Sequence, residues 1–479
     1  MKNTRSSLTI QFGMGFLLAT GVGFLPAQAE EPGRVSVPSA PVNRVLSLED
    51  TVRAARRNDP WLVGNQYQQD SLLSLSTAAS TLPDPKMSVG IANLAADSFE
   101  FDQEPMTQFK VGISQMFPRG DTLSIRQKQL QLSSSQYPYQ REDRRAKVTV
   151  AASQLWLNAY KAQESIALIE SDRELFEQLV DVAQASYSSA LGRTRQQDII
   201  RAQLELTTLD DRLTVLNQQL ETNLQKLSEW LSDYFLGEYS ETTGVDYLLQ
   251  SAHLSLERNL PNIPMLNRAL YLSTEASSPQ ALYEQMALHP SVIAVERKIE
   301  ASAAGIELAQ QKYKPEWGIN ASYGYRDDDP MSNRRADLFS LGVTFDLPLF
   351  TNNRQDKEYQ SAVSQSAAIR TEKWQLLRNL VASFEAARVQ LRRLNERRAL
   401  YKDQLLPQTH DQAEASLTAY TNDDGDFSEV VRARIAELNA SIVALDIDVE
   451  RQKTIVQMNY FLMTSASEIT ASSSIPGVK

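Results

Sequence analysis

The chain of 479 residues has no cysteine and only three histidines, His253, His289 and His410. The lack of cysteine excludes disulfides, thiolate metal sites, thiol catalysis and lipid attachment at an N-terminal cysteine. No two histidines have the spacing of metal ligands, so the sequence predicts no metal site built on imidazole. The net charge of -11 argues against nucleic acid as the main partner.

Long apolar runs and catalytic motifs are also missing. Beyond the N-terminal segment, no stretch approaches the roughly 20 apolar residues that a membrane-spanning helix requires. The sequence has no phosphate-binding glycine loop, no nucleophile motif and no cluster of metal ligands. We therefore expect no enzyme, no catalytic residue and no cofactor, and energy for any transport would have to come from a partner.

Residues 1–29 have the pattern of a secretory signal peptide. Positive charge at Lys2 and Arg5 precedes an apolar run over residues 12–25, and Ala27-Gln28-Ala29 matches a cleavage site. An N-terminal membrane anchor is the alternative, but the run is short for a span. The mature chain is predicted to lie outside the inner membrane of a bacterium, with residues 30–45 as a flexible, proline-containing leader.

Two regions carry the heptad pattern of paired helices. Apolar or small residues recur in alternating steps of four and three over residues 148–187, and leucines resume the pattern over residues 209–231. Gly192 lies between them, where glycine lets the chain leave a helix. Residues 119–231 are therefore predicted to form a long hairpin with its tip near 188–197, and residues 352–465 a second one with its tip near 420–428.

Four segments of about ten residues alternate apolar residues with small or polar ones, as in strands with two different faces. The predicted strands are 86–94, 107–117, 316–326 and 337–347. Their length and apolar face suit a membrane-spanning β-strand. Four strands cannot close a barrel, and an open edge cannot lie in lipid, so several chains would share one barrel. A soluble sheet packed on helices is the alternative, although the helices are much longer than such a sheet needs.

Aromatic residues lie towards the ends of these strands. They are Phe109, Phe117, Trp317, Tyr323 and Tyr325. Two interpretations are open: bands at the two surfaces of a membrane, or ordinary strand packing.

The landmarks of the first half recur in the second half at a constant spacing of 230 residues. The matched pairs are Asp59-Pro60 with His289-Pro290, Pro85 with Pro315, Gly112 with Gly342, and Pro118 with Pro348. A duplication explains this spacing most simply. It predicts one structural repeat over residues 46–231 and another over 281–465, separated by an irregular insert at 232–280 and followed by a disordered tail at 466–479.

This order of elements resembles the TolC-type outer-membrane factor family of outer membrane efflux proteins, over residues 46–462. Besides the duplication and the two tips, the resemblance is carried by Asn58-Asp59-Pro60, by Ser114-Gln115-Met116-Phe117-Pro118 and by Asp346-Leu347-Pro348-Leu349-Phe350. It implies a mainly α fold with a small β part, in which coiled-coil hairpins continue from four strands per chain. Three chains would join these strands in a twelve-stranded outer-membrane β-barrel, and the insert would form an equatorial belt.

The function implied by the resemblance is that of a passive exit duct of a tripartite efflux pump. Such a duct lies in the outer membrane, extends into the periplasm and is here not lipidated. Its partners would be two further copies of the chain, a periplasmic adaptor protein, an inner-membrane transporter and outer-membrane lipid. The element Phe117-Pro118-Arg119-Gly120 is similar to members that serve heavy-metal pumps of the resistance–nodulation–division class. A type I secretion duct and a structural, non-transporting periplasmic coiled coil are the alternatives.

The tip motifs of the family match this sequence unevenly. The segments at Ala190-Leu191-Gly192-Arg193 and Asp198–Ala202 are similar to the first tip of the family. In the second tip, Tyr420 aligns with the family's tyrosine, but Gly425 stands where the family has an arginine. In the family this tyrosine and arginine bond to the first tip and hold the entrance shut, so as aligned the arginine link is absent here.

Charges crowd the two tips. Four acidic residues lie within seven positions of the second tip, and the first tip offers Arg193, Arg195 and Arg201. Either the acids form a solvated turn, or they form an electrostatic latch and an acidic ring that favours cations. The candidate entrance residues are Gly192, Arg193, Asp198, Arg201, Tyr420, Asp423, Asp424, Asp426, Glu429 and Arg432.

Overall fold

The computed structural model describes residues 45–188, 195–231, 255–272, 278–422 and 425–465. This part of the chain is mostly helical and contains one four-stranded sheet, which confirms the predicted mainly α class with a small β part. Outside the described residues lie the predicted signal peptide and tail, residues 30–44 of the leader, and residues 232–254 and 273–277 of the insert.

In the first half of the chain, the described elements are β1 (Val45–Leu46), α1 (Leu48–Arg57), α2 (Pro60–Ala79), β2 (Lys86–Ala92), β3 (Gln108–Phe117), α3 (Thr122–Ser134), α4 (Tyr137–Ser188) and α5 (Gln196–Leu231). In the second half they are β4 (Ser255–Leu256), α6 (Arg268–Leu272), α7 (Pro279–Ala287), α8 (Pro290–Gln311), β5 (Glu316–Tyr325), β6 (Leu338–Asp346), α9 (Gln355–Leu400), a π-helix (Tyr401–Leu405), α10 (Leu406–Thr421) and α11 (Phe427–Phe461). The starts of α8, β5 and β6 each lie 230 residues after those of α2, β2 and β3. The spacing of the sequence landmarks is therefore also the spacing of the elements.

The helix α4 forms the long arm of the first hairpin. Its 52 residues span roughly 78 Å at about 1.5 Å per residue. The heptad positions Val148, Ala152 and Ile169 are buried, and the arm packs against α5 and α11. Tyr187, which the heptad pattern places in the same seam, is instead 51% exposed, because the buried stripe ends one turn earlier, at Ala183.

The corresponding arm of the second hairpin is interrupted. A π-helix at Tyr401–Leu405 separates α9 from α10, and the N–H of Leu406 donates to the carbonyl of Tyr401, five residues earlier. Pro407 explains the change, because it has no N–H to donate and its ring clashes with the carbonyl four residues before it. The local widening to π geometry therefore relieves a proline placed inside a long helix.

The four long strands form one antiparallel sheet in the order β2-β3-β5-β6, so the two repeats meet between β3 and β5. One transverse row joins Val89, Val111, Tyr323 and Phe339, all apolar or aromatic. The next row joins Gly90, Lys110, Gly324 and Leu338, which are mostly small or polar. This alternation gives the sheet one apolar and one largely polar face. Within the described residues, β2 and β6 are the edge strands.

A tight junction connects the end of β3 to the helices. Gly120 has φ +46°, and a Cβ there would collide with the side chains of Gln311 and Lys314, so the turn requires glycine. The adjacent Arg119 pairs with Asp346 at the end of β6 and donates to the carbonyl of Lys312 at 2.7 Å. The junction thus ties the last strand and helix α8 to the point where the sheet becomes helical.

The helices that lead into the two strand pairs begin with a proline at N1, but their caps differ. In α2, Asp59 accepts from the N–H of Trp61 at 3.1 Å and pairs with Arg144 at 2.6 Å. In α8, Nδ1 of His289 accepts from the N–H of Ser291 at 3.2 Å.

His289 is fully buried. Since its Nδ1 accepts, its Nε2 carries the hydrogen and donates to the carbonyl of Tyr460 at 3.1 Å. Burial lowers the pKa of His289 below its usual 6.5, although Asp143 nearby opposes the shift. The second repeat therefore starts its helix with a neutral cap where the first uses an ion pair.

Candidate functional site: the faces of the sheet and the hairpin tips

No described part of the chain covers the apolar face of the sheet. Met87 is 72% exposed and Phe339 is 71% exposed. The other large exposed side chains of this face are Val89, Ile91, Phe109, Ile113, Trp317, Ile319, Tyr323, Tyr325, Leu341, Val343 and Phe345. Burying apolar surface stabilises a protein by about 25 cal/mol per Å². An exposed apolar face of this extent therefore marks a site of interaction with lipid or protein.

The aromatic residues of this face lie at its two ends. At the helix end, Phe117, Trp317 and Phe345 are register partners, and the rings of the last two are 5.4 Å apart. At the other end, Phe109 pairs with Tyr325, and Tyr323 pairs with Phe339. Between these ends, the rows are aliphatic apart from Met87 and Gln115. The rows of Phe117 and Phe109 are roughly 27 Å apart along the strand, or about 20 Å at a tilt of about 40°, close to the apolar band of a membrane barrel.

The opposite face of the sheet is built from small and uncharged side chains. These side chains are Ser88, Gly90, Gly112, Ser114, Gly318, Asn320, Ser322, Gly324, Ser340, Gly342 and Thr344. The larger apolar side chains of Met116 and Leu338 also lie on this face. Charges on this face lie at Lys86 and Lys110, and at Glu316 and Asp346 at the helix end. A face of this composition tolerates contact with water and leaves space in front of the sheet.

Two loops join the strands at the end away from the helices, and arginines hold them together. Arg326 donates to the carbonyl of Pro105 at 3.2 Å, and Arg335 donates to the carbonyl of Asp102 at 3.2 Å. The loop between β2 and β3 carries four acids and no base: Asp97, Glu100, Asp102 and Glu104. This end of the sheet therefore has an acidic rim.

At the tips, two of the predicted acidic residues cap helices. Asp198 is 6% exposed, and its carboxylate accepts from the N–H of Arg195 at 2.9 Å at the start of α5. Asp426 accepts from the N–H of Ser428 at 3.0 Å at the start of α11. Both carboxylates thus satisfy amide groups at the positive end of a helix.

Apolar packing brings the two tips together. Ala202 of the first tip belongs to the same buried cluster as Phe427, Val430 and Val431 of the second. Tyr420 packs on this cluster, and its ring lies 5.5 Å from that of Phe427 in an edge-on arrangement. The sequence analysis did not select Phe427 and Val430. The signal was available, because Val431 lies seven residues before Leu438 and extends the heptad pattern of the return arm.

The structure describes only some of the residues of the predicted electrostatic latch. Gly192, Arg193, Asp423 and Asp424 lie outside the described residues. Arg201, Glu429 and Arg432 are exposed. Among the described side chains, neither Asp426 nor Glu429 pairs with a base, so the latch stays a prediction.

A network of ion pairs that the sequence analysis missed lies behind the second tip. Arg434 of α11 pairs with Glu414 of α10 at 2.5 Å and with Glu437 at 2.9 Å. His410 contacts Glu437 at 2.7 Å, and this hydrogen bond raises the pKa of His410. Burial raises the pKa of Asp172 on α4, and the charge of Glu437 adds to the shift. The network links α10 to α11 beyond the π-helix.

No described helix contains a stretch apolar and long enough to cross a membrane. No protein-family model and no curated protein matches the sequence. The fold, in contrast, is similar to several solved structures.

The CmeC outer membrane channel of Campylobacter jejuni is 14% identical, with a TM-score of 0.68 over 89% of this chain and 89% of that one. The MtrE outer membrane channel of Neisseria gonorrhoeae, solved in an open state, is 11% identical, with a TM-score of 0.65 over 87% and 88%. CusC, which folds into a transmembrane channel, is 13% identical, with a TM-score of 0.67 over 87% of this chain and 92% of that one. At these identities the likeness establishes the fold, and this fold is the one that the motifs predicted: the chain has the fold of the TolC-type outer-membrane channels.

Proposed function

We propose that the protein is a passive exit duct in the bacterial outer membrane that continues through the periplasm as a helical tunnel. The observation that carries this proposal is the sheet: an exposed apolar face bounded by aromatic bands, opposite a face of small polar residues. The apolar face would contact lipid, and the polar face would line a water-filled lumen. Helix α4, at roughly 78 Å, is long enough to extend the lumen far from the membrane.

The duct is a trimer in this proposal. The edge strands β2 and β6 leave rows of backbone groups without strand partners in the described chain, and such edges are too costly to remain open in lipid. Pairing β6 of one copy with β2 of the next closes a barrel. Three copies give twelve strands and a radius of about 12 Å, which leaves a lumen rather than a packed core. The similar solved structures of CmeC and MtrE are outer membrane channels, which supports a barrel in the membrane.

Energy for export would come from partners. We place the hairpin tips at the periplasmic entrance, where an adaptor protein would connect the duct to an inner-membrane transporter of the resistance–nodulation–division class, in its heavy-metal branch. The candidate entrance residues are those of the two tips, with Asp423 and Asp424 as the charges of an acidic ring. The apolar cluster around Phe427 would hold the tips together in the closed state.

The test combines the mass of the detergent-purified protein with its conductance in planar bilayers. We expect a trimer that forms discrete channels with a preference for cations. Replacing Asp423→Asn and Asp424→Asn should raise the conductance or reduce the cation preference, because the carboxylates would attract cations and would hold the entrance closed through the latch to the arginines of the first tip.

A matched control neutralises two acids at the far end of the sheet, Asp97→Asn with Glu100→Gln, and should not raise the conductance, because these acids lie far from the entrance. A monomer without conductance in either form would contradict the duct and favour a structural coiled coil. A trimeric channel unaffected by the tip substitutions would keep the duct and remove the acidic ring.

A further inference from the structure

We infer that Lys110 makes the outer half of the lumen favour anions, and so acts as a selectivity residue distinct from the acidic tips. This inference rests on the proposed trimeric duct, because only closure of the sheet turns its polar face into a lumen. It concerns a side chain on strand β3, near the end of the sheet that lies away from the helices.

The register fixes where Lys110 points. Its row neighbours are Gly90 on β2 and Gly324 on β5, and the alternating rows on either side hold the apolar face. Lys110 therefore projects from the polar face, and it is exposed. A Cβ added at Gly90 would meet nothing within 4 Å, so the space in front of this neighbour of Lys110 is open. Closure of the barrel would place one such group per chain around the lumen.

The rest of the polar face leaves this charge unbalanced. At the helix end, Arg119 pairs with Asp346. Lys86 lies two rows further along, level with Ser114 and Asn320, so that Lys86 and Arg119 together equal Glu316 and Asp346 in number of charges. Between the rows of Lys86 and Lys110, the described side chains of the face are uncharged. The acids of the loops lie beyond the strands, on the open rim. Three copies of Lys110 would therefore form a positive ring just inside a negative rim.

The size of the barrel decides whether this ring matters. A radius of about 12 Å is comparable to the Debye length of about 10 Å at about 0.1 M salt. The lysine side chains also reach inward from the wall. The potentials of three charges then overlap on the axis at about 0.1 M salt, whereas at about 1 M the Debye length falls to about 3 Å and the wall charges are screened. The effect of Lys110 should thus depend on salt.

The test measures the reversal potential of the trimeric channel under a potassium chloride gradient centred on about 0.1 M. We expect Lys110→Met to raise the ratio of cation to anion permeability about threefold, because the positive ring no longer attracts anions or repels cations. Lys110→Glu should raise the ratio further. Lys110→Arg keeps the charge and should keep the ratio. In a gradient centred on about 1 M salt, the four proteins should converge.

The outcomes separate this inference from the proposed function. Trimeric channels whose permeability ratio is the same with lysine, methionine and glutamate would overturn the role of Lys110 and leave the duct intact. A ratio that changes equally in Lys110→Arg, or that differs as strongly at about 1 M salt, would show a change of pore shape and would also overturn it. If the unmodified protein forms neither trimers nor channels, the duct fails and this inference fails with it.

Discussion

The two structural repeats share their backbone plan but not their polar chemistry. Helices α2 and α8 both begin with a proline, 230 residues apart, and both lead into a strand pair. Asp59 caps the first and is held by Arg144, whereas the neutral His289 caps the second and donates to the carbonyl of Tyr460. The comparison teaches that the start of a helix requires a hydrogen-bond acceptor at the cap and not one particular residue. The side chain or carbonyl that contacts the cap can therefore differ between the two halves of the chain.

The hairpin arms differ in the same sense. Helix α4 runs without interruption for 52 residues, whereas its counterpart contains the π-helix before Pro407. Each arm still packs against a return helix. The coiled-coil seam therefore tolerates a local change of helical geometry in one repeat that the other does not have.

The largest expected effect comes from breaking the ion pair of the first repeat. Replacing Arg144→Met leaves the carboxylate of Asp59, which is 3% exposed, without its basic partner, and it also removes the cation that lies 5.6 Å from the ring of Trp61. We expect the free energy of unfolding to fall by about 2 kcal/mol. This is less than the cost of breaking a fully buried ion pair, because the arginine side chain is one-third exposed. Thermal melting followed by helical circular dichroism measures it.

Two further variants sharpen this prediction. The neighbouring Arg145 is exposed, so the Arg145→Met variant should have the same melting temperature as the unmodified protein. Asp59→Asn combined with Arg144→Met should recover part of the loss, because an amide caps a helix without needing a counter-charge. Equal melting of the Arg144 and Arg145 variants would contradict the importance of the pair.

A smaller effect distinguishes the second repeat by its response to pH. Above about pH 6.5, His289 is neutral in both the folded and the unfolded chain, so it adds no pH dependence. Below that value the unfolded chain binds the proton more readily, because the pKa of the folded state is lowered, and stability falls. We expect His289→Asn, which keeps a helix cap but cannot titrate, to reduce the drop in melting temperature between about pH 7.5 and about pH 5.

His410 is the control of opposite sign. Its pKa is raised by Glu437, so its contribution is fully present below about pH 6.5 and is lost as the pH rises through the folded pKa. His410→Gln should therefore steepen, not reduce, the loss of stability on acidification. The same acid response in the unmodified protein and in His289→Asn would refute the role given to the buried cap.

The smallest effect concerns the interrupted arm. Pro407→Ala restores an amide donor and removes the clash with the preceding turn, so the π-helix at Tyr401–Leu405 should convert to α-helix. Hydrogen exchange of residues 401–406 should slow severalfold, while residues 171–175, the equivalent positions of α4, should not change. Unaltered exchange at 401–406 would mean that neighbouring helices, rather than the proline, impose the π geometry.

Local and periodic patterns predicted the fold well. Alternation over ten residues gave the four strands and their faces, because one face meets a different environment from the other at every step. The seven-residue pattern gave the seams of the hairpins, and the predicted end of the second strand at Phe117 is the observed one. The same patterns failed at Tyr187, where the seam ends before the apolar residues do.

The polar contacts could not be read in this way. Arg144 lies 85 residues from Asp59, and Glu437 lies 27 residues from His410 across the tip. Such pairs depend on which helix faces which, and no local pattern records that. For the candidate entrance, the sequence supplied the charges, but the packing of Phe427 and Val430 between the tips follows from three helices that meet in space.

The unpaired edges of β2 and β6 have a consequence for biogenesis. In the proposed trimer, a single chain cannot close the barrel, so it remains incomplete until it meets two further copies. The rate of maturation must then rise steeply with the local supply of chains, and a chain that waits too long presents a template for disordered aggregation. Synthesis in bursts at one place would therefore serve this protein better than slow, scattered production.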